Sequence, residues 1–180
     1  DQDFMLRLAR RTWRYFETFV TVEDNFLPPD NFQEHPATQL AHRTSPTNLG
    51  LAVLSDLSAL DFGFISTDDL IDRLDKTFAT MERLERYLGH FFNWYDTRTL
   101  MPLSPLYVST VDSGNLSGCL LVLAIGREAL ADEPFPLTNA SRMEAGLRIT
   151  ERIRDESHHD PAEANWWADA VLRLRASLNA

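Results

Sequence analysis

Trp94, Tyr95, Asp96 and Arg98 fall within five positions of GHFFNWYDTRTLMPLSPLYVSTVDSGNL, a stretch from Gly89 to Leu116 between two helical patterns. A solvated loop is built mainly from small and charged residues, yet this one also carries Phe91, Phe92 and Tyr107. The combination suits a sugar. Pyranose rings present C–H faces that pack on indole and phenol rings, and their hydroxyls take planar polar partners such as Asp, Asn and Arg. The competing reading is mechanical, with the aromatics pinning a long loop onto the end of a helical bundle. Phe91 and Phe92 fit pinning, whereas Trp94 and Tyr95 fit a cleft wall. Asp96 in Asp-Thr-Arg-Thr is also ordinary turn chemistry.

A second loop carries similar candidates. Arg43 and Asn48 flank the start of an apolar helix, Arg43 as a ligand contact or as a salt-bridge partner. Asp112, before Ser113-Gly114-Asn115, reads first as an N-cap accepting backbone N–H groups. In DNFLPPDNF, residues 24–32, Pro28-Pro29 stands between two Asp/Asn turns and stiffens an extended segment, as a cleft wall or a strap. Of the five histidines, His35 and His42 lie in the first long loop, His90 in the second, and His158-His159 before the last helix. None shows helical i, i+4 pairing or a short Cys/His ligand pattern, so neither a metal nor any other cofactor is expected.

These residues need a scaffold, and its signals are helical. Phe4, Leu8, Thr12, Tyr15, Phe16 and Phe19 recur at helical spacing, as do Leu70, Leu74, Phe78, Met81 and Leu84 after the start Ser66-Thr67-Asp68-Asp69. Ser45-Pro46 offers an N-cap with Pro at the first helical position, and TNLGLAVLSDLSAL then runs apolar nearly all round. NLSGCLLVLAIG is apolar on every face too. Thr47–Ala59 and Leu116–Gly126 are therefore expected to be more buried than their neighbours. A half-buried helix over Thr138–Glu156 follows. The last opens at Asp160-Pro161 with Glu163 as capping-box partner and carries Trp166, Ala170, Leu174 and Leu178 on one stripe.

Connection lengths add an asymmetry. The links leaving the two apolar helices, roughly Phe62–Ser66 and Ala131–Leu137, are short. Those entering them, Val22–Thr44 and Tyr87–Ser113, exceed the ~12–15 residues at which a loop is usually functional. With helices alternating up and down, both long loops gather at the N-termini of the two apolar helices. Inner helices ringed by outer ones, with loops elaborated at one end, describe an all-α toroid, and six helices make about half of an (α/α)6 ring. Residues 1–180 form one domain on this reading.

The formal net charge of −10 and pI near 4.9 remove the electrostatic basis for tracking nucleic acid or an anionic membrane. The longest unbroken apolar run, Cys119–Ile125, is far short of the ~20 residues of a membrane span. The single Cys119 excludes an intramolecular disulfide. The start Asp1-Gln2-Asp3 fits a piece cut from a longer polypeptide.

RTSPTNLGL, RLERYLGHFFNWYDTRTL and YVSTVDSGNL resemble, in this order, the middle glycoamylase-like (cyclization) domain of bacterial cyclic β-1,2-glucan synthases, over about Arg11 to Leu130. The resemblance implies an (α/α)6 toroid that rearranges linear β-1,2-glucan into rings by transglycosylation. It also implies a parent protein in which this soluble segment sits at the cytoplasmic face of the bacterial inner membrane, between a membrane-embedded glucosyltransferase and a phosphorylase-like region. The family's catalytic carboxylates are expected in the other half of the toroid. This chain would then contribute part of the glucan-binding cleft and be inactive alone. Under the resemblance Asp112 and Asn115 become candidates for hydroxyl recognition, so the expected substrate-binding set is Arg43, Asn48, Trp94, Tyr95, Asp96, Arg98, Asp112 and Asn115. The expected partners are a β-1,2-linked glucan oligosaccharide, the remaining half of the toroid and the parent's other regions, with self-association through exposed flanks. The alternative is a helical protein-interaction module without activity, although no repeat of ~34–40 residues supports an array.

Overall fold

The structure, a computed structural model, describes residues 2–132, 137–157 and 159–179. Among them six helices carry the fold: α1 (Gln2–Phe19), α2 (Pro46–Asp61), α3 (Thr67–Arg83), α4 (Thr110–Asp132), α5 (Leu137–Glu156) and α6 (Pro161–Leu178). The helix starts follow local chemistry. Ser45 Oγ accepts the Asn48 N–H, with Pro46 at the first helical position, where its missing N–H costs nothing. Ser66 and Asp69 form a reciprocal capping box. Asp160 Oδ1 accepts from the Ala162 and Glu163 N–H groups, but the Glu163 carboxylate does not return to the cap as expected. It accepts instead from Trp167 Nε1, Arg11 and Arg14, because a buried indole N–H and two guanidiniums outcompete one backbone donor.

α2 is the hub, packing against α1, α3 and α4, while α5 lies on α6 and α1. Leu49, Val53, Leu57, Ala59 and Leu60 of α2 are buried, as its apolar character predicts, although Leu51 on its open side is 50% exposed. The turn after α2 touches α5 so closely that only glycine fits. Gly63 has φ +70°, and a Cβ there would stand 1.7 Å from the Arg142 carbonyl oxygen. Fully buried Arg10 ties α1 to α5. It donates from Nε to Thr150 Oγ1 at 3.0 Å and from Nη1 to Glu17 at 2.9 Å, while its guanidinium lies 5.2 Å from the Trp167 ring centre. Burial lowers its pKa against the opposing pull of Glu17.

α4 departs from expectation. Leu116 and Leu123 are buried, but Val111, Leu121, Val122 and Ile125 are 50–70% exposed. The reason is geometric: α4 packs extensively on α2, and no other described element covers its remaining faces to a similar degree. Each such side chain forgoes part of the ~1.5–3 kcal/mol that full burial contributes. An open groove of about 520 Å³ follows the α2–α4 seam, lined by Thr47, Leu51, Leu54, Asn115, Cys119 and Val122. The link read as Ala131–Leu137 crosses residues outside the described set, as does His158.

The two long loops behave as expected. The first holds a 3₁₀ turn (Val22–Asp24) and the ribbon β1 (Phe32–Gln33) with β2 (Gln39–Leu40). The second holds the ribbon β4 (Arg86–Tyr87) with β5 (His90–Phe91). β3 (Arg43–Thr44) pairs antiparallel with β6 (Tyr95–Asp96), so Arg43 stands opposite Asp96 and the two loops are stitched together at the N-termini of α2 and α4. These ladders are only two residues long, and the fold is all-α.

Candidate functional site

The β3–β6 pairing assembles the site. Arg43 extends to Asp30, donating from Nε at 3.2 Å and Nη2 at 2.9 Å to the same oxygen, Oδ2. Asp30 Oδ1 accepts from Asn48 Nδ2 at 3.1 Å, so one carboxylate joins both candidates flanking α2. The Arg43 guanidinium lies over the Trp94 indole, 4.6 Å from the ring centre. Trp94 is half-buried.

Behind the indole runs a hydrogen-bonded chain. The buried Asn93 amide is satisfied in one orientation. Its Oδ1 accepts from Trp94 Nε1 at 2.9 Å and from the Tyr107 hydroxyl at 2.7 Å, and its Nδ2 donates to Asp112 Oδ2 at 2.9 Å. Asp112 Oδ1 accepts from Thr47 Oγ1 at 2.7 Å, and Thr47 Oγ1 accepts in turn from Asn115 Nδ2 at 3.0 Å. Arg43, Asn48, Trp94, Asp112 and Asn115 thus lie in connected networks at one end of the bundle. Thr47 and Asn115 also line the top of the α2–α4 groove.

Asp112 is not the N-cap of α4. The helix begins earlier, and Ser109 caps it: Ser109 Oγ accepts the Asp112 N–H at 3.1 Å and donates to Asp112 Oδ2 at 2.5 Å. The signal was the Ser-x-x-Asp spacing from Ser109 to Asp112, identical to that of Ser66 to Asp69.

Tyr95 is also corrected. Expected beside Trp94 on a cleft wall, it is fully buried among Leu27, Leu49, Met81, Leu84, Phe92 and Leu116. Its hydroxyl donates to the Glu85 carbonyl at 2.6 Å and accepts the Phe92 N–H at 2.7 Å. Burial, ahead of a smaller opposing hydrogen bond from Phe92, pushes its pKa up to about 12. Tyr95 opens β6 whereas Trp94 stands in the loop just before it, so neighbours as alike as these two meet different surroundings.

Asp96 and Arg98 take other partners. Asp96 Oδ1 accepts the N–H groups of Arg98 and Thr99 and the Thr99 hydroxyl, the turn chemistry its sequence offered. Partial burial raises its pKa, but the hydrogen bonds from Thr99 and Arg98 and the Arg98 charge outweigh this and leave it lowered. Arg98 Nη2 donates to Glu23 Oε1 at 2.8 Å and to His42 Nε2 at 2.6 Å. His42 must then carry its proton on Nδ1, which donates to buried Asp24 at 2.8 Å. Thr97 Oγ1 donates to the same Asp24 oxygen.

Asp30, Thr47, Asn93, Ser109 and the Asp24–His42 pair were not read as site residues. The Asp/Asn turn after Pro28-Pro29 pointed towards Asp30, but nothing local links it to Arg43 across the loop.

This architecture defines a class. The fold is glucoamylase-like, part of an α/α toroid: it matches glucoamylase-like proteins of Bacteroides fragilis and Bacteroides caccae with TM-scores of 0.58 and 0.60, each at 18% identity and over 82% of this chain and 36% of theirs. In sequence, 130 residues, or 72% of the chain, are 56% identical to the cyclic beta-(1,2)-glucan synthase NdvB of Rhizobium meliloti (strain 1021). The resemblance drawn from the three motifs therefore holds. The matched portion is 5% of the synthase's length, and no protein-family model matches the chain.

Proposed function

We propose that this chain is part of a carbohydrate-active enzyme that makes or cyclises β-1,2-glucan by transglycosylation, and that it supplies part of the glucan-binding cleft. The observation that carries the reading is the 56% identity to a cyclic beta-(1,2)-glucan synthase, combined with a polar and aromatic cluster at the loop end of a glucoamylase-like bundle. Arg43, Asn48, Asp112 and Asn115 provide hydroxyl partners around Trp94, which is the residue chemistry a neutral sugar requires. Residues 1–180 act as one part of a larger domain, whose remaining half supplies the acid and nucleophile. In the parent, the segment lies at the cytoplasmic face of the inner membrane beside glucosyltransferase and phosphorylase-like regions. Among the described residues no helix is long and apolar enough to cross a membrane.

The open α4 face favours a second reading, a helical module whose ligand is protein. Titration of linear β-1,2-gluco-oligosaccharides into the complete toroid, beside an α-1,4-linked series, separates the two. Binding of the β-1,2 series is expected. A folded toroid that binds neither series rejects the cleft.

A further inference from the structure

We propose that Asp30 is the positioning residue of Arg43, one of the hydroxyl-binding residues of this cleft, with Trp94 a rigid backing for the guanidinium rather than an open stacking face. The inference rests on the glucan-cleft reading above. A guanidinium has five N–H donors in a planar fork. Asp30 engages Nε and Nη2, and Nη1 makes no hydrogen bond among the described residues, although the side chain is 50% exposed. One flank of the fork is thus occupied and the other is presented to solvent. One flat side is covered by Trp94, whose own rotation is stopped by the bond from Nε1 to Asn93.

Asp30 can hold a long, rotamer-rich side chain because it is itself held. It follows two buried prolines, its N–H donates to the Ala41 carbonyl at 3.1 Å, and its carboxylate also accepts from Asn48 at 3.1 Å and Asn31 at 3.0 Å. The carboxylate neutralises the guanidinium, and Asp112 stands in the network behind Trp94. Such a fork suits a neutral polyol better than an anion. In a β-1,2-linked glucose chain the linkage consumes O1 and O2, leaving the adjacent 3- and 4-hydroxyl oxygens as a pair of acceptors spaced for one guanidinium edge.

The test is a cycle of variants in the complete toroid, with calorimetric Kd for a linear β-1,2-gluco-oligosaccharide and a melting temperature for each. Arg43→Ala is expected to weaken binding roughly tenfold or more, the loss of charged hydrogen bonds. Asp30→Asn is expected to weaken it several-fold alone, yet to add less in the Arg43→Ala background, where its bond to Asn48 is the remaining way it reaches the cleft. If Arg43→Ala fails to fold, Arg43→Lys, which keeps the charge and loses the fork, supplies the same comparison. Full affinity in a folded Arg43 variant overturns the inference while the cleft reading stands. Full additivity of the Asp30 effect overturns the positioning role. A wild-type toroid that binds no oligosaccharide sinks both readings together.

Discussion

Thr47 Oγ1 donates to Asp112 Oδ1 at 2.7 Å, joining the first turns of α2 and α4 across the mouth of the groove between them. The bond couples two helix starts and the Asn93–Trp94 chain through one carboxylate. Asp112→Asn leaves shape intact but turns an acceptor-only group into one that must donate. The expected outcome is a stability loss of ~1–3 kcal/mol, read by denaturant unfolding, with weaker glucan binding in the complete toroid. Unchanged stability would mean the carboxylate is dispensable to both helix starts.

Tyr95 separates pinning from binding. Tyr95→Phe removes a hydroxyl bonded to Glu85 and Phe92, and leaves a buried N–H unpaired. We expect a loss of ~1–3 kcal/mol in stability and unchanged glucan affinity in the folded protein. An affinity loss at constant melting temperature would return the residue to the cleft.

The same phenol makes an alkaline prediction. Burial first, then Asp30 and Asp24, raises Tyr15 to about 12, and burial raises Tyr95 to about 12. A raised folded pKa contributes stability that is fully present below the unfolded value of ~10 and is lost as pH climbs through ~12. Absorbance titration should show two of the four tyrosines resisting ionisation until about pH 12 or until unfolding, with stability falling over pH 10–12. Tyr15 and Tyr95 ionising near pH 10 in a folded chain would contradict this.

The open α4 face predicts association. Val111, Leu121, Val122 and Ile125 leave an apolar face of a kind monomers rarely expose. The isolated chain is expected to self-associate at high concentration in light scattering, and Ile125→Asp to reduce it. A strict monomer at high concentration counts against it.

Catalysis should be missing from the isolated chain. Glycosyl transfer normally uses a pair of carboxyl groups free to act as acid and nucleophile. Asp30 and Asp112 accept hydrogen bonds on both oxygens, and Asp96 is committed to its turn. No turnover of β-1,2-glucan is expected. Robust turnover that Asp112→Asn abolishes would assign the chemistry to this half.

Local chemistry alone determined most of the scaffold. Helix starts at Ser45-Pro46, Ser66 and Asp160 depend on groups within a few residues, and the burial of most of α2 follows from its nearly all-round apolar composition, so all were legible in the sequence. Loop lengths also showed that the two loops meet above α2 and α4. What tertiary structure decided is which partner each side chain found. Trp94 and Tyr95 are adjacent and chemically alike, yet one lies half-buried under Arg43 in the loop and the other opens β6 as a core residue, because the β3–β6 pairing and the packing beneath it fix which ring turns inward. Asp30 reaches Arg43 and Asn48 only after the first loop folds back on itself. The exposure of α4 was legible only through the expectation of a half toroid with uncovered inner flanks, not through the helix's own residues. Its sequence records an environment covered on every face, whereas its burial depends on neighbours that the described residues do not provide.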